Sequence, residues 1–288
     1  MEKRMKIRKA VIPAAGYGTR FLPVTKGIPK EMLSIVDRPA IHYIVEEAVN
    51  AGIEEIIIVI SNGKTAIKSY FGAHEIYDGI KNRDLLKPVD DLLSKAKFTF
   101  VLQEPMRGNG DAVLVTKEVV GNEPFVVLFG DDVIYTEGKN ATEQIIDVFN
   151  STGKCVVGVQ KCTDEIACTC GCILPGNIDG KLIEALDIIE KPSIDNLPSN
   201  YASFGRFVLT PDIFEELENA PLYKDEIYLT VALRSLIKKH GGFAYEFDGK
   251  RYDIGSKVGF FKAMVEYGLR SPYEKEFKEY LKDLVKEF

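Results

Sequence analysis

Short apolar runs alternate with segments of helical period along the first half of this chain, and this alternation limits the fold more than any other feature. The runs lie near residues 8–13, 55–60, 97–102 and 125–129, and each is almost wholly apolar. Strands that are apolar on both faces are typical of a parallel sheet covered by helices. The sequence therefore predicts a doubly wound α/β sheet in about the first half of the chain.

A helix is predicted between the first two of these strands. Ile41, Ile44, Val45 and Ala48 follow one another at helical spacing, and Gly52 comes just after the pattern ends. Glycine is the residue that most often ends a helix. The strands and the helix together make one βαβ unit.

The chain changes character between about residues 154 and 209, where strand-like runs are separated by Gly, Asp, Asn and Pro. The runs cover 155–159, 171–174, 185–189 and 203–209. We interpret them as mixed β structure inserted over the sheet. Helical patterns return at 211–218, 226–239 and 256–269, and a last one begins at residue 277. The pair Asp248-Gly249 predicts a hairpin between runs at 243–247 and 251–254.

Composition excludes several classes of protein. The chain has 288 residues, of which 45% are hydrophobic, so it has enough apolar material for a globular core. Its longest apolar runs have five residues, whereas a membrane span needs about 20. A net charge of −6 without a dense basic block argues against nucleic acid as a partner. The basic N-terminus leads into a run broken by Pro13 rather than a signal-peptide core, so we expect a cytoplasmic protein.

Four of the five cysteines, Cys162, Cys168, Cys170 and Cys172, are crowded together. The alternate spacing of the last three predicts that they share one face of a strand. Structural zinc sites usually pair Cys-x2–4-Cys units instead. We therefore favour small buried residues over a metal site here. The three histidines, His42, His74 and His240, belong to no recognised motif, and we expect them to be structural or exposed.

A glycine-containing segment follows the first predicted strand. It reads Ala14-Ala15-Gly16-Tyr17-Gly18-Thr19-Arg20. Gly16 and Gly18 allow a tight turn whose backbone N–H groups can bind an anion. The segment matches neither the P-loop nor the complete dinucleotide fingerprint, and a plain turn is the alternative. The cations Arg20, Lys26 and Lys30 nearby favour a phosphate ligand such as a triphosphate.

Two acidic segments could bind a metal ion. Asp131 and Asp132 follow the fourth strand, at the edge of the sheet where α/β proteins bind ligands. Asp253 ends the second strand of the predicted hairpin. A few carboxylates together with phosphate oxygens suit Mg²⁺. The alternative is that these residues only form turns or caps.

Glu190 and Lys191 close another strand and precede Pro192. Proline favours an extended backbone in the residue before it, which would send the two side chains to opposite sides unless the chain bends. Glutamate could accept hydrogen bonds from sugar hydroxyls, and lysine could neutralise a phosphate.

Taken in order, these segments resemble those of bacterial UTP–glucose-1-phosphate uridylyltransferases, within the sugar nucleotidyltransferase superfamily. The similarity is carried by residues 16–33, 36–39, 52–59, 130–132, 190–192, 225–230 and 252–255, and it covers about residues 8–270. It implies a Rossmann-like, mixed and mostly parallel central sheet flanked by helices, with a smaller β-rich sugar-binding region.

The resemblance also implies a domain plan. Residues 1–270 would form one nucleotidyltransferase domain, with a nucleotide-binding half at about 8–150 and a sugar-binding half at about 151–270. Residues 271–288 would form a C-terminal helix whose apolar stripe packs on its own sheet or, as the alternative, contacts another subunit. Relatives of this kind are commonly dimers or tetramers, so a homodimer or homotetramer is expected.

The resemblance implies a role for individual residues. The nucleotide-binding set is Ala14, Ala15, Gly16, Gly18, Thr19, Arg20, Lys26, Gln103, Gly108 and Gly110, with Gln103 at the uracil edge. The sugar-phosphate set is Gly171, Glu190, Lys191, Gly205 and Glu226. Arg20, Lys30 and Lys191 would have catalytic roles, and Asp131 and Asp253 would hold Mg²⁺. The implied reaction joins UTP and glucose 1-phosphate into UDP-glucose, with release of pyrophosphate.

Three features depart from the family pattern. Asp111 stands where the family usually has histidine, and Cys170 stands where it usually has tyrosine. The segment 72–96 fits only loosely. The same chemistry with dTTP or another hexose 1-phosphate, and a non-catalytic nucleotide-sugar-binding relative, are the alternatives. An NAD-type dehydrogenase is excluded because the third glycine and a catalytic motif are missing.

Overall fold

A mixed β-sheet runs through the centre of the protein. The computed structural model describes residues 6–72, 77 and 79–287, so His74 lies outside the described residues. The strands among those residues are β1 (Lys9–Pro13), β2 (Ser34–Ile35), β3 (Arg38–Pro39), β4 (Glu55–Ile60), β5 (Lys97–Leu102), β6 (Phe125–Leu128), β7 (Asp132–Tyr135), β8 (Val156–Lys161), β9 (Gly171–Asp179), β10 (Leu182–Glu190), β11 (Tyr201–Leu209), β12 (Phe243–Glu246) and β13 (Lys250–Asp253).

Helices cover this sheet. Those within the described residues are α1 (Ala40–Asn50), α2 (Thr65–Tyr70), α3 (Lys87–Lys95), α4 (Gly108–Leu114), α5 (Lys117–Val120), α6 (Ala141–Thr152), α7 (Asp164–Ala167), α8 (Ile213–Glu218), α9 (Leu229–His240), α10 (Lys257–Gly268) and α11 (Glu274–Leu284). In that part of the chain, none of the helices has the length and apolar character needed to cross a bilayer.

The predicted parallel core is confirmed. Among the described residues the main sheet has nine strands in the order β5-β4-β1-β6-β11-β8-β12-β10-β9. The pairs β1–β4, β1–β6 and β4–β5 are parallel. The apolar residues of β1, β4 and β6 are buried, as expected for strands covered on both faces. The predicted helix after β1 is α1, whose apolar face is buried against this sheet.

The interpretation of the β-rich segment as a layer over the sheet is wrong. Strand β11 pairs antiparallel with β6, and β8, β12, β10 and β9 continue outward from it. Every residue of β11 is buried. The reason is that β6 leaves one edge of backbone N–H and C=O groups unpaired by β1, and β11 satisfies them. The β-rich segment therefore extends the sheet.

The predicted hairpin at Asp248-Gly249 is also wrong. Strand β12 lies between β8 and β10 in the main sheet, whereas β13 pairs antiparallel with β7 in a separate ribbon. Gly249 has a φ of 142°. The chain therefore uses this turn to leave one sheet and join another. The pairing matters because it places Asp253 opposite Asp132 at the end of the ribbon.

The cysteines do not share one face of a strand. Cys168 ends α7, Cys170 lies in the turn that follows, and only Cys172 of the three lies in β9. Burial raises the pKa of Cys172 to about 12 and that of Cys162 to about 11. Within the described residues, no group of three or more His, Cys, Asp and Glu side chains is placed to hold a metal ion.

A buried ion pair connects three parts of the fold. Arg206 of β11 is inaccessible to solvent and donates from Nε and Nη2 to the two carboxylate oxygens of Glu47 in α1, at 2.9 and 2.7 Å. Its Nη2 also donates to the carbonyl oxygen of Asp132, at 2.8 Å. Thr142, at the start of α6, donates its hydroxyl to Glu47. These bonds fix the turn in front of β7.

We predict that Arg206→Met lowers the free energy of unfolding by about 3–5 kcal/mol, because it leaves the Glu47 carboxylate buried without its cation. Urea denaturation followed by circular dichroism would measure the change. The double variant Glu47→Gln with Arg206→Met should recover part of the loss. The matched control is Lys117→Met at the exposed Lys117–Glu218 pair, where we expect less than about 1 kcal/mol. Equal losses at the two pairs would contradict the prediction.

Candidate functional site: a charged cleft at the ends of the parallel strands

A cleft of about 480 Å³ opens where β1 and β6 end. Its walls contain most of the predicted site residues, namely Ala15, Gly16, Gly18, Thr19, Arg20, Lys30, Gln103, Gly108, Asp131, Gly171, Glu190, Lys191, Gly205 and Glu226. The carboxyl edge of a parallel sheet is where α/β proteins usually bind ligands. A larger hollow of about 820 Å³, lined by Tyr135, Arg270 and their neighbours, contains none of them.

Four predicted residues lie outside the wall of the cleft. Ala14 and Gly110 are buried behind it, and Lys26 is exposed in the turn after Pro23. Asp253 lies beside the cleft, at the end of β13. The structure therefore gathers most of the predicted residues into one region. Lys26 is exposed and does not line the cleft.

The glycine segment forms a sharp turn directly after β1. Gly18 has a φ of 65°, a left-handed conformation that favours glycine. A Cβ on Gly18 would lie 3.2 Å from Thr25 Cγ2 and 3.3 Å from Lys30 Cβ. Thr25 donates its hydroxyl to the Gly18 carbonyl oxygen at 2.9 Å. The turn is thus packed against the segment that carries Lys30.

Residues behind the turn hold its carbonyl groups away from the cleft. Lys64 donates to the carbonyl oxygen of Ala14 at 2.6 Å and to Glu31 at 2.8 Å. Ser61 donates its hydroxyl to the carbonyl oxygen of Ala15 at 2.8 Å. Burial lowers the pKa of Lys64 and raises that of Glu31, although the two charges attract each other. Lys64 was not predicted as a site residue because its partners are distant along the chain.

Two carboxylates and one guanidinium converge around Gly255. A Cβ built on this glycine would lie 3.1 Å from Asp253 Oδ1, 3.2 Å from Asp131 Oδ2 and 3.3 Å from Arg20 Nη1. Arg20 also donates from Nη1 to the carbonyl oxygen of Gly255 at 3.3 Å. The structure therefore brings Asp131 and Asp253 together from segments more than a hundred residues apart.

Lys30 also contacts Asp131. Its ammonium donates to Asp131 Oδ2 at 2.9 Å. Burial opposes the charged form of Lys30, but the attraction of Asp131 and Glu31 outweighs burial and raises the pKa of Lys30. Burial likewise opposes the charge on Asp131, and the cation of Lys30 outweighs it and lowers the pKa of Asp131. Both groups are therefore charged at neutral pH.

The neighbouring Asp132 has a different environment. It is buried and forms an ion pair with Arg251 of β13. Burial raises the pKa of Asp132 to about 6, although the cation of Arg251 acts in the opposite direction. The adjacent carboxylates of Asp131 and Asp132 do not form one cation site, because they meet different partners.

The other end of the cleft contains Glu190 and Lys191. Lys191 has a φ of 43°, so the chain bends here, and Lys191 Nζ lies 3.4 Å from Glu190 Oε1. Lys191 therefore does not adopt the extended backbone that Pro192 favours, and the bend brings the two side chains together. Thr230 donates its hydroxyl to the second oxygen of Glu190 at 2.6 Å. Lys191 also lies over the ring of Tyr228, 5.0 Å from its centroid.

Two closely packed glycines line this end of the cleft. A Cβ on Gly171 would lie 2.8 Å from Thr230 Cγ2. Gly205 has a φ of 67°, and its Cβ would lie 2.8 Å from Asp132 Oδ2. Cys170 lines the cleft beside Gly171. Glycine at these two positions allows neighbouring groups to approach more closely than a Cβ would permit.

The third side of the cleft is formed by the start of α4 and the segment before α9. Gly110 donates its backbone N–H to the Ile227 carbonyl oxygen at 2.8 Å, and Ile227 donates to the Arg107 carbonyl oxygen at 2.7 Å. Gln103, just after β5, is buried beneath this pair of segments and lines the cleft. Glu226 lies at the entrance.

Among the polar side chains of the wall that were not predicted as site residues are those of Arg251 and Thr230. Arg251 packs its guanidinium 4.1 Å from the centroid of the Phe204 ring. It stands two residues before Asp253 in β13, and residues spaced by two share one face of a strand. That spacing could have identified Arg251. Thr230 ends the segment 225–230 that carries the family resemblance, but no role was predicted for it.

Comparisons with known proteins place these features in context. A family model described as a nucleotidyl transferase matches residues 9–268. The chain is 44% identical over 285 residues to the UTP–glucose-1-phosphate uridylyltransferase of Staphylococcus epidermidis strain RP62A, covering 97% of this chain and 99% of the relative.

Solved structures show the same similarity. A UDP-glucose pyrophosphorylase crystallised with UDP-glucose matches with a TM-score of 0.87 and 38% identity, over 92% of this chain and all of the other. A UTP-bound UGPase from Acinetobacter baumannii matches with a TM-score of 0.90 and 38% identity, over 97% of this chain and all of the other. The α/β fold predicted from the sequence is confirmed.

Gly108 provides a test of how closely α4 and the Glu226 segment are packed. Its φ is 90°, and a Cβ there would lie 2.7 Å from the Ile227 carbonyl oxygen. We predict that Gly108→Ala costs about 1–2 kcal/mol for the left-handed backbone and a further 1–3 kcal/mol, roughly, for the clash. Urea denaturation would measure both parts together.

The matched control is Gly63→Ala. Gly63 also has a positive φ, 88°, but a Cβ there would meet no atom within 4 Å. This variant should therefore show only the backbone cost. Equal losses in the two variants would mean that the Glu226 segment moves aside freely.

Proposed function

The chain belongs to the nucleotidyl transferase family, and on that premise we propose that it transfers the uridylyl group of UTP to glucose 1-phosphate. The products are UDP-glucose and pyrophosphate. The observation that carries the proposal is the 44% identity to a UTP–glucose-1-phosphate uridylyltransferase over 97% of the chain. Neighbouring structures that hold UTP and UDP-glucose support it.

The charges in the cleft suit the two substrates. The turn at residues 14–20 would receive the nucleotide phosphates, with the cations of Arg20 and Lys30 beside it and Lys26 further out. Lys191, which also lines the cleft, would receive the phosphate of the sugar. Glu190 and Glu226 would accept hydrogen bonds from sugar hydroxyls, and Gly171 and Gly205 would leave room for the ring.

The reaction needs positioning more than acid–base chemistry. An oxygen of the sugar phosphate forms a bond to the α-phosphorus of UTP, and the bond from that phosphorus to the β-phosphate oxygen breaks, so pyrophosphate leaves with the electron pair. The attacking oxygen is already ionised at neutral pH, so no general base is required. Arg20, Lys30 and Lys191 would hold two anions together and stabilise the charge that develops.

The donor set of the site fits Mg²⁺. Asp131 and Asp253 present carboxylate oxygens to one point next to Gly255, and the described residues supply no third acidic, histidine or cysteine ligand there. Mg²⁺ is commonly held by one or two carboxylates together with substrate phosphates and water. When bound, the ion would neutralise phosphate charge and act as a Lewis acid.

Two alternatives to this function remain, a different pair of substrates and a non-catalytic relative. An enzyme that uses dTTP or another hexose 1-phosphate would share every phosphate-binding residue. A non-catalytic relative would be expected to lack one of the charged groups, and Arg20, Lys30, Lys191, Asp131 and Asp253 are all present.

We predict pyrophosphate release that depends on Mg²⁺ and is fastest with UTP and glucose 1-phosphate. The assay would compare UTP, dTTP, CTP, ATP and GTP with glucose, galactose and N-acetylglucosamine 1-phosphates. A preference for another nucleotide and sugar phosphate would mean that the chain is a nucleotidyltransferase with different substrates. Nucleotide binding without any release would support the non-catalytic relative.

We further predict that Asp131→Asn and Asp253→Asn each lower kcat roughly 100-fold or more, because each removes a charge proposed to hold the metal ion. The matched control is Asp179→Asn, an exposed aspartate at the end of β9, which should keep the wild-type rate. A wild-type kcat in Asp253→Asn would show that Asp253 is not a ligand of the proposed metal ion.

The domain plan, the location and the assembly belong to the same proposal. We assign about residues 8–150 to the nucleotide and about 151–270 to the sugar. A cytoplasmic location suits an enzyme of UTP. A homodimer or homotetramer is supported by exposed apolar side chains on the last two helices and just after them, namely Val258, Phe261, Tyr280 and Val285.

Sedimentation analysis would test the assembly. We predict a mass of two or four times the 32.2 kDa of one chain. Phe261→Ser combined with Tyr280→Ser should shift the protein toward one chain, because both side chains are largely exposed on the isolated subunit. Ile178→Ser, at an exposed site in β9, should not. A monomeric wild-type protein would contradict the proposal.

A further inference from the structure

The side-chain amide of Gln103 has both of its hydrogens engaged by the protein. Nε2 donates to the carbonyl oxygen of Gly108 at 2.9 Å and to Asp111 Oδ2 at 2.8 Å. A primary amide has two N–H donors and one acceptor oxygen. The atom that Gln103 can offer to a ligand in the cleft is therefore Oε1, which can only accept a hydrogen bond.

The neighbours of Gln103 prevent the amide from turning over. A carbonyl oxygen and an ionised carboxylate are acceptors and carry no proton to donate. If the amide rotated by 180°, Oε1 would face Gly108 O and Asp111 Oδ2 in place of Nε2. Three acceptor oxygens would then meet in a region where Gln103 and Asp111 are almost inaccessible to solvent, and buried groups without partners are costly.

Asp111 is itself held in place by Arg107. The two oxygens of the carboxylate have separate partners: Oδ2 accepts from Gln103, and Oδ1 accepts from Arg107 Nε at 3.2 Å and Nη2 at 2.8 Å. Arg107 precedes α4 and is about half exposed. The buried carboxylate therefore has a cation on one side and an amide on the other.

We propose that Asp111 is a positioning residue that fixes Gln103 as a hydrogen-bond acceptor and thereby selects bases with an N–H at the facing edge. This inference rests on the proposed function. Uracil presents N3–H, which Gln103 Oε1 can accept. Cytosine presents an unprotonated N3, so two acceptors would meet. Thymine has the same N3–H as uracil, so Asp111 separates UTP from CTP and leaves the choice between UTP and dTTP to other residues.

The test compares kcat/KM for UTP and CTP, with glucose 1-phosphate, in Asp111→Asn. Asparagine keeps the size of the side chain but has N–H donors as well as an acceptor oxygen. Residue 111 could then pair with Gln103 Nε2 or, after the amide turns over, with Gln103 Oε1, while the Gly108 carbonyl oxygen would still favour Nε2. We expect the ratio of UTP to CTP activity to fall by about tenfold or more, because a site that reads one hydrogen bond loses that discrimination.

Arg107→Gln is the matched control. It removes a charge from the same network but keeps the acceptor that faces Gln103, so the ratio should stay within about threefold of the wild type. An unchanged ratio in Asp111→Asn would overturn the inference. A proportional loss of both activities would also overturn it, because that result indicates a purely structural role.

A second measurement uses the wild-type protein and does not depend on the folding of a variant. UTP methylated at N3 keeps both carbonyl groups but has no N3–H, and we expect it to bind at least about 100-fold more weakly than UTP in calorimetry. Equal binding would overturn the inference. If the wild type binds UTP but does not turn it over, the proposed function fails, while the binding ratios of UTP, CTP and methylated UTP, compared between the wild type and Asp111→Asn, still test the role of Asp111.

Discussion

The buried pair of Arg206 and Glu47 is the interaction on which the rest of the site depends. Arg206 lies in β11, the strand that joins the parallel half of the sheet to the mixed half, and Glu47 lies in α1. The same guanidinium holds the backbone of Asp132. A charge this deep is costly unless its partner is present, so α1, β11 and the turn before β7 are held in one arrangement. Gly205 directly precedes Arg206, and Asp131 directly precedes Asp132. Both Gly205 and Asp131 line the cleft.

Three of the four cations that line the cleft already have a carboxylate partner, and the fourth, Arg20, donates to a backbone carbonyl oxygen. Lys30 pairs with Asp131, Lys191 with Glu190 and Arg251 with Asp132. The cations are therefore oriented before a phosphate arrives, and little reorganisation is needed when it does. The acidic partners also explain how a protein with a net charge of −6 can hold a local cluster of cations. The same principle of orientation by a partner extends to the neutral Gln103, whose amide is held by Asp111.

Much of the fold and the site could be predicted from the sequence, and the errors have a common cause. Most of the strands, the helices α1 and α8–α11 and the glycine turn were predicted because each depends on residues that are close in sequence, whereas β7 and the helices α2–α7 were not predicted. The convergence of Asp131 and Asp253 was expected from their positions at strand ends, and the structure shows it. The hairpin at Asp248-Gly249 was wrong because β13 pairs with β7 instead. Lys64 and Arg251 were missed because their importance comes from partners far away in the chain.

By itself, the sequence determined the local structure: which segments are strands, where α1 begins and ends, and which turn can approach a phosphate. It also determined the chemistry available, since the glycines, cations and carboxylates are readable without coordinates. Only the tertiary structure decided that β11 extends the sheet, that Lys191 bends back to Glu190, and that Asp131 and Asp132 face different partners. The physical reason is that an unpaired strand edge accepts any strand of suitable geometry, and a buried charge accepts any opposite charge. Which strand or which charge becomes the partner depends on how the whole chain packs.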